Sequence, residues 1–248
     1  MPSVYIETEN RRTITSKEQY QNCTLILVDG ESTPRYENAQ IRGRGNSTWW
    51  NSDKKPYRVK FANKERFLGE GFANAKSWTL LANHGDKTMI RNALTYDLGR
   101  FMGMKFCPAA KFVDLYLNGD YRGTYQISDQ VQVHKNRVDI EEMTPEDISG
   151  TALTGGYLIE VDAYAREEKS YFYSEKGNPV TIKSPDEDEI QPEQSQYIKN
   201  HFNLMEQQWS QYLDLTTFLR HFLVGELSGN TDTYWSVYMY KHRENDTI

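Results

Sequence analysis

The chain has 248 residues, 38% of them hydrophobic and 26% charged, with a formal net charge of −6. That length suits one large domain or a two-lobed one, and the balance is that of a folded globular chain rather than a disordered one. The acidic charge excludes general nucleic-acid binding, which asks for a basic face, and no apolar run approaches the roughly 18 residues of a membrane-spanning helix.

In chain order, the first part reads mostly as strands. "CTLILVD" is an apolar run that ends at the turn pair Asp29-Gly30. "IRGRGN" alternates, with Arg42, Arg44 and Asn46 on one side. "YRVKF" alternates too, with Tyr57, Val59 and Phe61 on one face and Arg58 and Lys60 on the other. "STWWNSDKKP" between them is long enough for a loop joining paired strands. "KSWTLLAN" follows as a further strand.

Asp86 is placed to cap a helix over "KTMIRNALTYDLGRF", with Met89, Ile90, Ala93, Leu94, Leu98 and Phe101 at helical spacing and Gly103 as the stop. Asn118-Gly119 between alternating apolar runs predicts a tight hairpin. "GGYLIEVDAY" predicts another strand. The last third is more helical. Ile198, Phe202, Met205 and Trp209 share one face, and the acids Asp186–Glu189 and Glu193 precede or open that helix, as its dipole favours. Asp214 caps a second helix with Phe218, Leu219, Phe222, Leu223 and Leu227 facing inward, Gly229 ends it, and "SVYMYK" closes as a strand. The predicted architecture is α+β.

Cys23 and Cys107 sit in no CxxC pair, and the five histidines form no HxH or HExxH pattern, so no metal site is legible. No export signal is visible at the start. Three constellations carry chemistry. Residues 41–61 hold six Lys or Arg in an acidic chain. If the two strands align their polar faces, Arg42, Arg44, Arg58 and Lys60 share a surface suited to phosphate oxygens. Gly43 and Gly45 then allow close backbone approach, and Ser47 and Thr48 add hydroxyls. The bland alternative is a solvated strand face. The spacing fits neither a Walker loop nor GxGxxG. The second constellation is Asn230 and Asp232 in "SGNTD", a loop where a carboxylate can take a proton from a hydroxyl, or an Asx turn closing the helix. The third is Glu160 and Asp162 on one strand face, a carboxylate pair or simply a polar face.

"IRGRGNSTW", "KKPYRVKF", "WTLLANHGDKTMIRNALTYDLGRFMG", "VDLYLNGDYRGTYQISDQV", "VDI", "GGYLIEVD" and "GNTD", in this order, resemble the CotH kinase family of atypical protein kinases. The resemblance runs from about Ile41 to Asp232. It implies a divergent protein-kinase-like fold with three parts: an N-terminal strand extension (1–34), a sheet-rich nucleotide-binding lobe (35–130) and an incomplete, more helical lobe (131–248). It implies ATP and magnesium as cofactors, and phosphoryl transfer to Ser/Thr of coat, surface or secreted bacterial proteins. On it, Lys60 resembles the strand lysine that contacts ATP phosphates, with Arg44, Ser47, Thr48 and Arg58 around the nucleotide. Asp129, in "QISDQV", lies near the adenine. Asp232 resembles the catalytic aspartate with Asn230 beside it, and Asp97 is a candidate partner for Lys60.

Two departures stand out. The acidic metal-binding segment that family members carry after the "GNxD" strand is absent, so the metal ligands are unknown and the chain reads as a C-terminally truncated fragment. Where relatives carry an asparagine shortly after the aspartate, this chain reads Tyr234-Trp235-Ser236. A non-catalytic kinase-like coat or surface scaffold is the alternative function, and a carbohydrate-active enzyme the second alternative. Export or surface display is the favoured location, and the protein partner's identity and the oligomeric state are not legible.

Overall fold

The computed structural model describes residues 1–248. The chain divides into two compact units, Met1–Asp97 with Cys107–Gln130, and Leu98–Phe106 with Val131–Ile248. The architecture is mixed α/β and rich in sheet.

The first unit is a closed seven-stranded barrel in the order β1-β2-β3-β4-β5-β7-β6. Its strands are β1 (Ser3–Thr8), β2 (Gln21–Val28), β3 (Arg35–Gly43), β4 (Tyr57–Glu65), β5 (Ala75–Leu81), β6 (Ala110–Leu117) and β7 (Asp120–Asp129). Neighbours are antiparallel except at the closure, where β1 runs parallel to β6. The period-2 alternation sends Ile41, Val59, Phe61, Trp78, Leu80, Tyr125 and Ile127 into one buried cluster. Trp78 is fully buried, yet its indole N–H donates to the Ala75 carbonyl at 3.0 Å, so the ring enters the core with its polar atom satisfied. The "NG" hairpin between β6 and β7 forms as predicted, with Asn118 and Gly119 at φ 55° and 89°, the left-handed pair a tight turn requires. Cys23 and Cys107 are both free thiols.

Two expectations for this unit need correction. The segment after β3 is not only loop: a short helix, α1 (Ser47–Trp50), folds Trp49 into the core. Gly43 is accordingly filled by its own chain. A Cβ there would meet the Trp49 ring at 2.5 Å, so the indole takes the side-chain space at Gly43. The second helix, α2 (Arg91–Phe101), begins later than the apolar spacing suggested. Asp86 still organises its start. Oδ2 accepts from the Arg91 N–H at 2.8 Å and Oδ1 from Thr88, and these bonds, the Thr88 hydroxyl's first, hold its carboxyl down at about 2. Of its helically spaced apolar residues, Leu94 is 58% and Phe101 86% accessible. The helix is anchored instead by polar contacts. Asn92 donates to Asn83, and Asn83 donates to buried Gln126 on β7.

The second unit is built on a four-stranded antiparallel sheet in the order β11-β8-β10-β9. Its strands are β8 (Tyr157–Val161), β9 (Tyr171–Tyr173), β10 (Pro179–Ser184) and β11 (Val237–Lys241). Tyr157, Ile159, Phe172, Val180 and Ile182 pack with Ile198, Phe202 and Met205 of α3 (Pro192–Gln207). A capping box between Gln191 and Gln194 starts α3, with Pro192 in its first turn. Trp209 does not extend that face; it opens a separate short helix, α4 (Trp209–Tyr212), and is 55% exposed.

The larger correction concerns α5 (Leu215–Ser228). Asp214 caps it through the Thr217 N–H and Gly229 ends it in the left-handed conformation, both as the sequence implied. Its apolar residues do not face inward. Leu215, Phe218, Leu219, Phe222, Leu223 and Leu227 are all exposed, and Gly225 is the helix's buried residue. The periodicity is real, but these side chains keep about a third or more of their surface accessible.

The end of the chain is tied down by buried polar groups. Lys241 is 1% exposed and donates to the carbonyls of Thr154, His242 and Asn245. His201, 6% exposed, lies 2.9 Å from the Asp246 carbonyl through Nε2; a carbonyl only accepts, so Nε2 carries the proton.

Two predictions follow from this packing. Gly43→Ala forces a methyl group into the Trp49 ring and should lower stability by about 1–3 kcal/mol, read as a shift in denaturant midpoint. For His201, burial first and the nearby Lys241 charge second hold the pKa below 6.5. A depressed histidine pKa means that the unfolded chain takes up the proton first. Stability is therefore complete above 6.5 and falls as pH drops from 6.5 through the folded value. Denaturation of wild type and His201→Gln between about pH 7 and about pH 5 should show the flatter dependence in the variant; equal slopes would contradict the assignment.

Candidate functional site

The cationic residues converge on the outside of the barrel. β3 and β4 pair with Arg42 opposite Arg58 and Gln40 opposite Lys60, and β4 and β5 pair with Arg58 opposite Thr79 and Lys60 opposite Ser77. Since Ile41, Val59 and Trp78 point inward, Arg42, Arg58 and Lys60 point outward together. Lys60 is exposed, and Arg42 and Arg58 are half-buried. The row continues across the sheet: Thr79 opposes Ser128, and its hydroxyl donates to the Ser128 carbonyl at 3.0 Å.

Arg44 and the hydroxyl residues lie just past the end of β3. The Arg44 N–H donates to the Pro56 carbonyl at 3.2 Å, which pins the end of the hairpin. Gly45 takes φ +78°, and its place beside the Thr48 hydroxyl leaves no room for a side chain. Ser47 and Thr48 sit exposed in the first turn of α1. Burial pushes the Tyr96 hydroxyl on α2 up, opposed first by its hydrogen bond with Ser128 and then by the Arg44 charge. Asp97 is exposed on α2, and what Lys60 Nζ meets is the Tyr20 ring, 6.0 Å away.

Asp129 takes the opposite strand parity to Ser128, and it and Arg44 both act on Tyr96. It is on the inward-facing parity of β7 with Tyr125 and Ile127, is 7% exposed, and its Oδ2 accepts from the Ala109 N–H at 2.9 Å. In this geometry its carboxylate ties β7 to the chain entering β6.

Asn230 and Asp232 lie together on the second unit, in the turn between α5 and β11. The Asn230 N–H donates to the Gly225 carbonyl at 3.0 Å, and its side-chain oxygen accepts from the Asp232 N–H at 3.1 Å. This is the Asx turn that the sequence allowed. The Asp232 side chain is exposed. The turn is pressed onto α5 by Thr233, whose hydroxyl donates to the Asn230 carbonyl and whose own carbonyl accepts from His221 Nε2 at 2.8 Å. Gly225 makes that approach possible, because a Cβ there would meet Thr233 at 2.4 Å. An open depression of about 350 Å³ is lined by Glu226, Asn230, Thr231, Thr233 and Tyr234, with Gly225 and Gly229. Ser236 takes φ +57°, in the left-handed region that non-glycine residues seldom occupy.

Glu160 and Asp162 are both buried at the second sheet. They are 7% and 8% exposed. Glu160 pairs with Lys183 at 3.2 Å, and Asp162 accepts from the Tyr164 N–H at 3.1 Å. Burial raises the Glu160 pKa, opposed by Lys183. No group of three or more His, Cys, Asp and Glu side chains is arranged to hold a metal ion. The sequence did not single out residues 16–20, which approach the cationic face; nothing in their composition marks them.

Comparison with curated proteins yields no match. The sequence model described as CotH kinase protein matches residues 41–248, which takes in β4 with Lys60 and the Asp232 turn as well as every strand of the second sheet. With a match over most of its length, the chain belongs to the CotH kinase family.

Proposed function

We propose that this protein transfers the terminal phosphoryl group of ATP to serine or threonine hydroxyls of a protein substrate. The observation that carries the reading is the cross-strand register that sets Arg58 beside Arg42 and Lys60 one row further, all facing out of a packed barrel. Phosphoryl transfer asks the protein chiefly for positioning and charge neutralisation. Arginine forks and a lysine point charge meet phosphate oxygens in complementary ways. Ser47 and Thr48 offer hydroxyl donors from the first turn of α1.

In this reading Lys60, Arg58 and Arg44 hold the polyphosphate. The Asp232 carboxylate accepts the proton of the attacking hydroxyl, with Asn230 fixing the backbone that presents it. Magnesium, as the hard cation that phosphates recruit, supplies further charge neutralisation when bound. No residue set for it is assigned.

The test is incubation with labelled ATP, magnesium and a serine-rich peptide. Asp232→Asn should lose at least about a hundredfold in transfer, the usual contribution of a positioned general base. Lys60→Ala should weaken ATP binding in a calorimetric titration. Equal transfer by wild type and Asp232→Asn sinks the role of Asp232, and binding unchanged in Lys60→Ala sinks the phosphate face. Binding without any transfer by the wild type assigns the protein to the scaffold reading.

A further inference from the structure

The cationic face has an occupant within its own unit. Residues 16–20 precede β2 and bend back over the end of β3. The bend is set by Ser16, whose hydroxyl accepts from the N–H groups of Glu18 and Gln19 at 3.1 and 3.0 Å. Three bonds then fasten the segment to the face. The Gly43 N–H donates to the Ser16 carbonyl at 2.8 Å, the Arg42 guanidinium donates through Nη1 to the Lys17 carbonyl, and Lys17 Nζ donates to the Asn46 side chain at 2.5 Å. The Tyr20 ring completes the contact, with the Arg42 guanidinium 4.9 Å and Lys60 Nζ 6.0 Å from its centroid. Two of the three cations in the row are thus engaged by one aromatic ring, and one of them also by a backbone carbonyl.

We propose that residues Ser16–Tyr20 are a built-in competitor for the cationic face, holding Arg42 and Lys60 until a polyphosphate displaces them. The inference rests on the phosphate reading of that face and adds its regulation. Two features give it direction. The bonds to the strap use donors that phosphate oxygens also use: the Arg42 fork, the Lys60 ammonium and the Gly43 amide at the start of the "GRGNST" segment. The strap also lies outside residues 41–248, the stretch that the family model matches. A carbonyl and a neutral ring are weaker partners for these cations than a multiply charged anion, so displacement by a polyphosphate is downhill where displacement by a neutral ligand is not.

The experiment uses the full chain with inorganic tripolyphosphate as probe, followed by titration calorimetry and amide hydrogen exchange. Saturating tripolyphosphate should speed exchange at the Gly43 amide, whose acceptor leaves with the strap. Tyr20→Ala should tighten tripolyphosphate binding by about two- to fivefold, the equilibrium equivalent of an exposed cation–π contact, while Tyr20→Phe should match wild type. Slower or unchanged Gly43 exchange in wild type, or weaker binding in Tyr20→Ala, overturns the strap. The two readings fail separately. If Lys60→Ala weakens binding but Tyr20→Ala and Gly43 exchange show no response, the phosphate face stands and the strap falls. If tripolyphosphate does not bind wild type or Tyr20→Ala, both fall.

Discussion

Closure of the barrel constrains everything else in the first unit. Six of its seven neighbour contacts are antiparallel, and a ring of seven strands cannot close on alternating directions alone. One contact must be parallel, and it falls between β1 and β6. Once the ring is shut there is no edge strand to slip, so each residue's inward or outward facing is fixed by its parity. The interior is claimed by Trp78, Tyr125, Phe61 and their aliphatic neighbours, which leaves Arg42, Arg58 and Lys60 only the outside. The gathering of positive charge in an acidic chain is therefore a consequence of sheet register.

The two candidate elements are held by different physics. The Lys60 row stands on strands paired on both sides and backed by a buried aromatic core. The Asp232 turn rests on a few hydrogen bonds and on the fit of Thr233 against a helical glycine. A rigid cationic platform and a lightly held carboxylate are suited to different tasks, one to receiving a bulky charged group and the other to meeting a variable hydroxyl.

Strands and caps were legible because their signals are local. Alternation marked β4, "NG" marked the β6–β7 hairpin, and Asp86, Asp214 and Gly229 marked helix ends. Fate of an apolar face was not legible, since periodicity shows that a helix has an apolar side but not whether anything covers it. That is why α5 was expected to face inward and is exposed. Gly43 illustrates a second limit. A glycine beside arginines reads as room for a ligand, and only the folding of α1 reveals that Trp49 takes the space. Tyr20 lies 22 residues before Arg42 in sequence and stacks on it in space; no pattern short of the barrel's β2–β3 pairing brings them together. For Asp129 the residue type was suggestive, but its bond to the Ala109 N–H depends on where β6 begins.

The exposure of α5 reaches beyond solubility. A helix of 14 residues whose one fully buried residue is Gly225 takes limited support from tertiary contacts, and isolated helices of about that length are marginal in water. Its integrity depends on Asp214 at one end, Gly229 at the other, the Arg220 bond to the Gly103 carbonyl and the clasp of His221 and Gly225 on Thr233. The turn bearing Asp232 hangs from the far end of this helix. Where the carboxylate sits is thus coupled to a helix–coil equilibrium, and covering the leucines at 219 and 223 would sharpen its position without touching the turn.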